Sequence, residues 1–95
     1  MNRNYRAGRR FEYAVKKELS AGSVACIRAA GSHGAFDLVV FYRKLVYAVQ
    51  CKNRAPTAEE RRKLKLVRDQ IDQPGVLVCF AYPTPESRIV LEWVK

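Results

Sequence analysis

The chain reads as one α/β domain in the order helix, three strands, helix, two strands. Three observations carry that reading: a helical stripe within residues 5 to 20, two β-dense runs parted by Arg43-Lys44, and a capping box at Thr57-Ala58-Glu59-Glu60 ahead of a second stripe. With 95 residues, 48% of them hydrophobic, the chain forms a single domain (residues 1–95) around one modest core, domains commonly running to roughly 100 to 200 residues.

The first helix is read from Phe11, Val15 and Leu19, which recur at four-residue spacing with Ala14 on the same side; Gly22 stops it. Val24 to Ala30 is a short β-type run that ends at Gly31. Asp37 to Tyr42 and Leu45 to Gln50 are dense in Val, Leu, Phe and Tyr, and the Arg43-Lys44 pair between them predicts a tight antiparallel hairpin. In the second helix the Thr57 hydroxyl and the Glu60 carboxylate satisfy backbone donors reciprocally. Leu64, Val67 and Ile71 form its apolar stripe, and Pro74-Gly75 is expected to end it. Val76 to Tyr82 is a buried-looking strand, Pro83 to Glu86 a turn, and Arg88 to Val94 a last strand.

Charge narrows the partners. Eighteen Lys and Arg against nine Asp and Glu give a formal +9, which favours a polyanion, most often nucleic acid. Arg3, Arg6, Arg9 and Arg10 cluster at the start, while Arg54, Arg61, Arg62, Lys63 and Lys65 lie after the third strand or on the second helix. No recognition helix with base-reading side chains stands out, so backbone shape is the expected readout. The start, MNRNYRAGRR, has no apolar stretch behind it, and runs such as Leu38 to Tyr42 fall far short of the ~20 residues that span a bilayer. A soluble, cytoplasmic protein with no membrane partner is expected. Cys26, Cys51 and Cys79 lack a CxxC spacing and have one histidine for company, and they read as reduced core thiols.

The segment from Gly31 to Lys52 carries the chemistry. A polar turn, GSHGAF, opens a strand at Asp37, and the next strand ends in Gln50-Cys51-Lys52. Alternation points Gln50 and Lys52 the same way, and pairing brings Asp37 beside them. An acid, an amide and an ammonium at the mouth of an apolar sheet suit a divalent metal beside a phosphodiester. Glu12 lies three and seven residues before Val15 and Leu19, so it shares a helix flank with core side chains. Two readings stay open for it: a border charge that swings outward or pairs with Arg9 or Lys16, or a site carboxylate. His33 reads as an ordinary loop residue.

RAGRRFE in the first helix, IRAAGSHGAFDLVV across the turn and VYAVQCK in the next strand resemble the archaeal-type Holliday junction resolvases of the PD-(D/E)xK nuclease superfamily. The resemblance runs through nearly the whole chain. It implies a restriction-endonuclease-like α/β fold, a central mixed five-stranded sheet flanked by two helices (αβββαββ). It also implies a Mg²⁺-dependent endonuclease, with Mn²⁺ able to substitute, that acts on four-way junctions as a homodimer without a small-molecule cofactor and leaves a 5′ phosphate.

By that resemblance Glu12 matches the helix acid that completes the metal shell, Asp37 the central metal-binding Asp, and Lys52 the lysine that orients the attacking water. Ser32 matches a loop serine near the scissile phosphate, Arg6 and Arg10 fall among basic residues at the helix start, and the Cys51 carbonyl is a further metal ligand. Gln50 departs from the pattern, whose usual occupant is Glu, and is similar to the Gln of Mrr-type restriction endonucleases. A hard cation accepts an amide oxygen, so the change lowers metal affinity without forbidding coordination. Two alternatives remain: another nuclease of the superfamily, such as a restriction or repair nickase, and a catalytically weak junction-binding module. Ile89, Leu91 and Trp93 are candidates for either a dimer surface or ordinary core.

Overall fold

The computed structural model describes residues 3–29 and 34–95, with side chains from position 8 onward. The order is α1 (Arg3–Ser20), β1 (Ala25–Arg28), β2 (Leu38–Phe41), β3 (Val46–Cys51), α2 (Ala58–Asp69), β4 (Val76–Tyr82) and β5 (Val90–Trp93). The strands lie in one sheet in sequence order, β1-β2-β3-β4-β5. All neighbours are antiparallel except β3 and β4, which run parallel because α2 carries the chain back across the sheet. The expected mixed five-stranded αβββαββ architecture is the one observed.

Period-two alternation assigns each helix a face. Val15 of α1 is fully buried against Leu38, Val49, Cys79 and Ala81, with Phe11 and Leu19 packed beside it. Leu64 of α2 is buried on the opposite face among Ala48, Val78, Phe80 and Tyr82. The predicted stripes therefore face the core, Ile71 doing so from just beyond α2. Gly22 ends α1 with φ +78°, a conformation that suits glycine. The hairpin closes where expected, with the Tyr42 N–H donating to the Leu45 carbonyl at 2.8 Å. Tyr42 Oη then donates to the Leu19 carbonyl at 2.9 Å, which fastens that hairpin to the end of α1.

Three expectations are corrected. Helix α2 ends at Asp69 with Gln70 as its cap, before Pro74. Its last turn tightens, the Gln70 and Ile71 amides donating to the carbonyls of Val67 and Arg68, and Ile71 packs on the α2-side core from outside the helix. Pro74-Gly75 instead forms the centre of a turn closed by Val76 N–H and the Gln73 carbonyl, 3.0 Å. The last strand is shorter than residues 88–94, and Ile89 and Leu91 pack on the core, while Trp93 stays 39% exposed with its ring edge-on to Tyr47 at 4.9 Å. Among the described residues no helix is long and apolar enough to cross a membrane.

Candidate active site

Two clefts open at the C-terminal end of β3, one on each face of the sheet, and Lys52 lines both. The α1-side cleft, about 230 Å³, is bounded by Gly8, Phe11, Glu12, Cys51, Lys52, Asn53 and Arg54. The α2-side cleft, about 320 Å³, is bounded by Gly34, Ala35, Gln50, Lys52, Glu60, Lys63, Leu64 and Val67. Glu12 and Gln50 thus belong to different clefts. Alternation explains this: Tyr47, Val49 and Cys51 face α1, and Ala48 and Gln50 face α2.

Asp37 sits at the boundary. The Leu38↔Val49 register, extended by one residue, puts Asp37 across from Gln50. Its N–H nevertheless donates to the Val49 carbonyl at 2.8 Å, one position out of that register, and its carbonyl accepts from Ala29 N–H at 2.9 Å. The ladder gives way there, and the Asp37 carboxylate accepts from the Cys51 N–H, Oδ2 to N 2.8 Å. A side chain thereby replaces a main-chain rung at the very end of the sheet.

Burial, then the charge of Asp37, raises the proton affinity of Glu12; Arg28 and Arg9 oppose the rise. Burial also pushes the Cys51 thiol far up, with Asp37 and Glu12 adding to it. The two carboxylates therefore share one electrostatic neighbourhood at Cys51. Arg28 Nε lies 3.4 Å from Glu12 Oε1 without the alignment of a hydrogen bond. Its guanidinium also stands 4.8 Å from the centre of the Tyr13 ring, and that of Arg9 5.9 Å. Glu12 is consequently not turned fully out to solvent: its carboxylate pairs with Arg28 and feels the charge of Arg9, and no ion pair to Lys16 is found among the described residues.

The linkage gives a prediction. A carboxyl whose folded pKa lies above its unfolded value stabilises the fold fully only below that unfolded value, near 4.5, and loses this as pH rises through the folded pKa. At pH 7 the Glu12 charge therefore burdens the metal-free fold. Thermal melting in chelator should show Glu12→Gln with a higher Tm than the unmodified protein at pH 7, the gap closing toward pH 4. A lower Tm at pH 7 would mean that the Arg28 contact outweighs burial.

Lys52 turns toward α2, where Nζ meets Glu60 Oε2 at 2.6 Å. The capping box is present as expected, with Thr57 N–H donating to Glu60 Oε1 at 2.8 Å and Thr57 Oγ1 accepting from Glu60 N–H at 3.1 Å. Arg54 also donates to Glu60 Oε1, 2.9 Å. The basic residues of α2 are largely paired: Arg61 forms a two-pronged contact with Glu92 at 2.8 and 2.9 Å, Arg62 bonds Glu59, and Lys65 meets Asp69 at 3.1 Å. Arg10 and Lys63 are exposed and make no ion pair among the described residues. Ser32 and His33 lie outside the described residues, as does the side chain of Arg6.

Among the described residues, no three His, Cys, Asp and Glu side chains converge as a metal cage. A cation held by Glu12 and Asp37 would complete its shell with amide, main-chain or water oxygens. Sequence reasoning missed two residues. Arg28 was readable as inward-facing by alternation with Cys26, but Ile27 beside it, 56% exposed, disguised the pattern. Glu60 was read only as a cap.

A five-stranded sheet of this order, with one helix on each face, Asp37 just before β2, Lys52 just after β3 and Glu12 on the α1 flank, has the layout of a restriction-endonuclease-like α/β fold. The chain belongs to the archaeal Holliday junction resolvase (Hjc) family, whose model matches residues 3–84. It is also similar in structure to Archaeoglobus fulgidus Hjc, a Holliday junction resolvase from an archaeal hyperthermophile, with a TM-score of 0.64 and 24% identity over 92% of this chain and 72% of that one. No curated protein sequence matches it.

Proposed function

We propose that this resolvase-family chain acts as a single nuclease domain, residues 1–95, that hydrolyses phosphodiesters at four-way DNA junctions with Mg²⁺, Mn²⁺ being able to substitute. The observation that carries this reading is that the Asp37 carboxylate accepts from Cys51 N–H at 2.8 Å while Glu12, Cys51 and Lys52 line one cleft. Two partly buried carboxylates that repel each other fit a hard divalent cation. The Cys51 carbonyl adds an oxygen donor in that cleft; the Gln50 amide lines the α2-side cleft and would reach the same cation only around the end of β3.

When bound, the cation supplies polarisation of the phosphoryl oxygen and a more acidic water. Glu12 and Asp37 hold it in place. Lys52 orients the nucleophile and offsets charge that develops on the phosphorane, and Ser32, five residues before Asp37 in the sequence, contacts the scissile phosphate. Arg28 balances Glu12 in the metal-free protein. A junction has two scissile strands related by two-fold symmetry, so the acting unit is a homodimer, in an intracellular setting where DNA is available.

The DNA-facing surface shifts toward α1. That helix carries six Lys and Arg against two Glu, whereas α2 carries five against three and gives one of them to Glu92. Arg9→Ala with Arg10→Ala should therefore weaken junction binding and flatten its salt dependence by about one unit of slope per lost phosphate contact. Arg61→Ala with Arg62→Ala should do less. Equal effects in a titration over salt would return α2 to the interface.

Cleavage of a four-way junction, a flap and linear duplex, each with Mg²⁺, Mn²⁺ and chelator, tests the reading. Metal-stimulated cutting of the junction in preference to the others is the expected result. Preference for linear or flapped duplex points to a nickase; binding with no cutting in any metal points to a junction-binding module.

A further inference from the structure

Glu60 is held at three points. Its Oε1 accepts from Thr57 N–H and Arg54, and its Oε2 accepts from Lys52 at 2.6 Å. The capping contact fixes the carboxylate to the first turn of α2, so the carboxylate moves only if the helix does. Hydrogen bonds from Arg54, Lys52 and the Thr57 amide hold its pKa far below the usual carboxylate range, so it stays charged through the neutral region. Among the described residues that line the α2-side cleft it is the one anion, with the ammonium groups of Lys52 and Lys63 and a neutral Gln50 in the same lining.

A lysine ammonium is a point charge on a four-carbon stem with large rotamer freedom. Lys52 follows β3 directly, and the loop from Asn53 to Ala55 is exposed. Its stem alone therefore gives Nζ no fixed place between the two clefts. The side chains of Lys52 and Glu60 are only 25% and 23% exposed, which makes their contact less screened than the other pairs of α2.

We infer that Glu60 is a positioning residue for Lys52, its cap-anchored carboxylate fixing the ammonium at the boundary shared by the two clefts. This rests on the proposed nuclease role of Lys52. Removing the charge leaves Lys52 present but spread over rotamers, so the chemical step slows while the DNA contacts persist.

Glu60 also caps α2, so the test must separate cap from charge. Gln at the third helical position serves a capping box as Glu does; Glu60→Gln keeps that role and removes the charge, and Glu60→Ala removes both. The measurements are single-turnover cleavage of a four-way junction at saturating protein and Mg²⁺, junction affinity by gel shift, and thermal melting, with Lys52→Ala in parallel. Misplacing a reacting group by about 1 Å costs up to ~100-fold, so Glu60→Gln is expected to cut at a rate lower by about tenfold or more. Its Kd should stay within about twofold and its Tm near that of the unmodified protein, while Glu60→Ala loses rate and Tm together. Wild-type or faster cleavage by Glu60→Gln overturns the inference alone. No cleavage by the unmodified protein, or full cleavage by Lys52→Ala, overturns the nuclease reading and this inference with it.

Discussion

Asp37→Asn is expected to abolish junction cleavage, by about 10³-fold or more for the loss of a charge that metal-assisted hydrolysis requires, while the protein folds and binds junctions almost normally. The fold tolerates the change because the Asn side-chain oxygen still accepts from Cys51 N–H, the bond that closes the end of the β2–β3 ladder. Binding tolerates it because affinity for DNA comes mainly from scattered Lys and Arg. Lys52→Ala should lose cleavage comparably, with a further small stability cost from leaving Glu60 to Arg54 and Thr57. Cleavage and gel shift on the same preparations decide it. Wild-type turnover in either variant would remove Asp37 or Lys52 from the chemistry, and parallel loss of binding would place that residue in the DNA surface instead.

Those two residues were legible because their signals are local. Strand alternation and a two-residue hairpin suffice to bring Asp37 to the end of the Gln50-Cys51-Lys52 strand, and the β2–β3 register does so. The α1 stripe was equally plain, since Phe11, Val15 and Leu19 are the residues that meet the core. Glu12 was half legible: its place on the flank of that stripe put a carboxylate near the sheet, but its partner belongs to β1, sixteen residues on.

What escaped the sequence was set by packing between elements. Arg28 faces inward because β1 pairs with β2 so that Arg28 stands opposite buried Leu38; the same register turns Ile27 out. Lys52 meets Glu60 because the residues between them fold back onto the start of α2, a path no periodicity records. The end of α2 escaped for a third reason. Ile71 continues the helical spacing of Leu64 and Val67 and remains in the core, so burial alone could not show that the backbone had already left the helix at Gln70.

Gln50 supplies the sharpest remaining contrast. If its amide oxygen is a working ligand, Gln50→Glu should keep cleavage and lower the Mg²⁺ concentration at half-maximal rate, since it adds negative charge beside Asp37. Gln50→Leu should lose about 10- to 100-fold in metal affinity or activity, the scale on which metal sites respond to lost supporting contacts. The structure adds a condition. Gln50 and Glu60 line one cleft with Lys52, so Glu at position 50 creates a second anion within the ammonium's surroundings and competes with Glu60 for it. Gln50→Glu is therefore expected to improve metal affinity more than it improves maximal rate. Rates titrated against Mg²⁺ separate the two quantities. Should the unmodified protein, Gln50→Glu and Gln50→Leu share one metal dependence, Gln50 is no ligand, and the cation would rest on Glu12, Asp37 and the Cys51 carbonyl in the α1-side cleft alone.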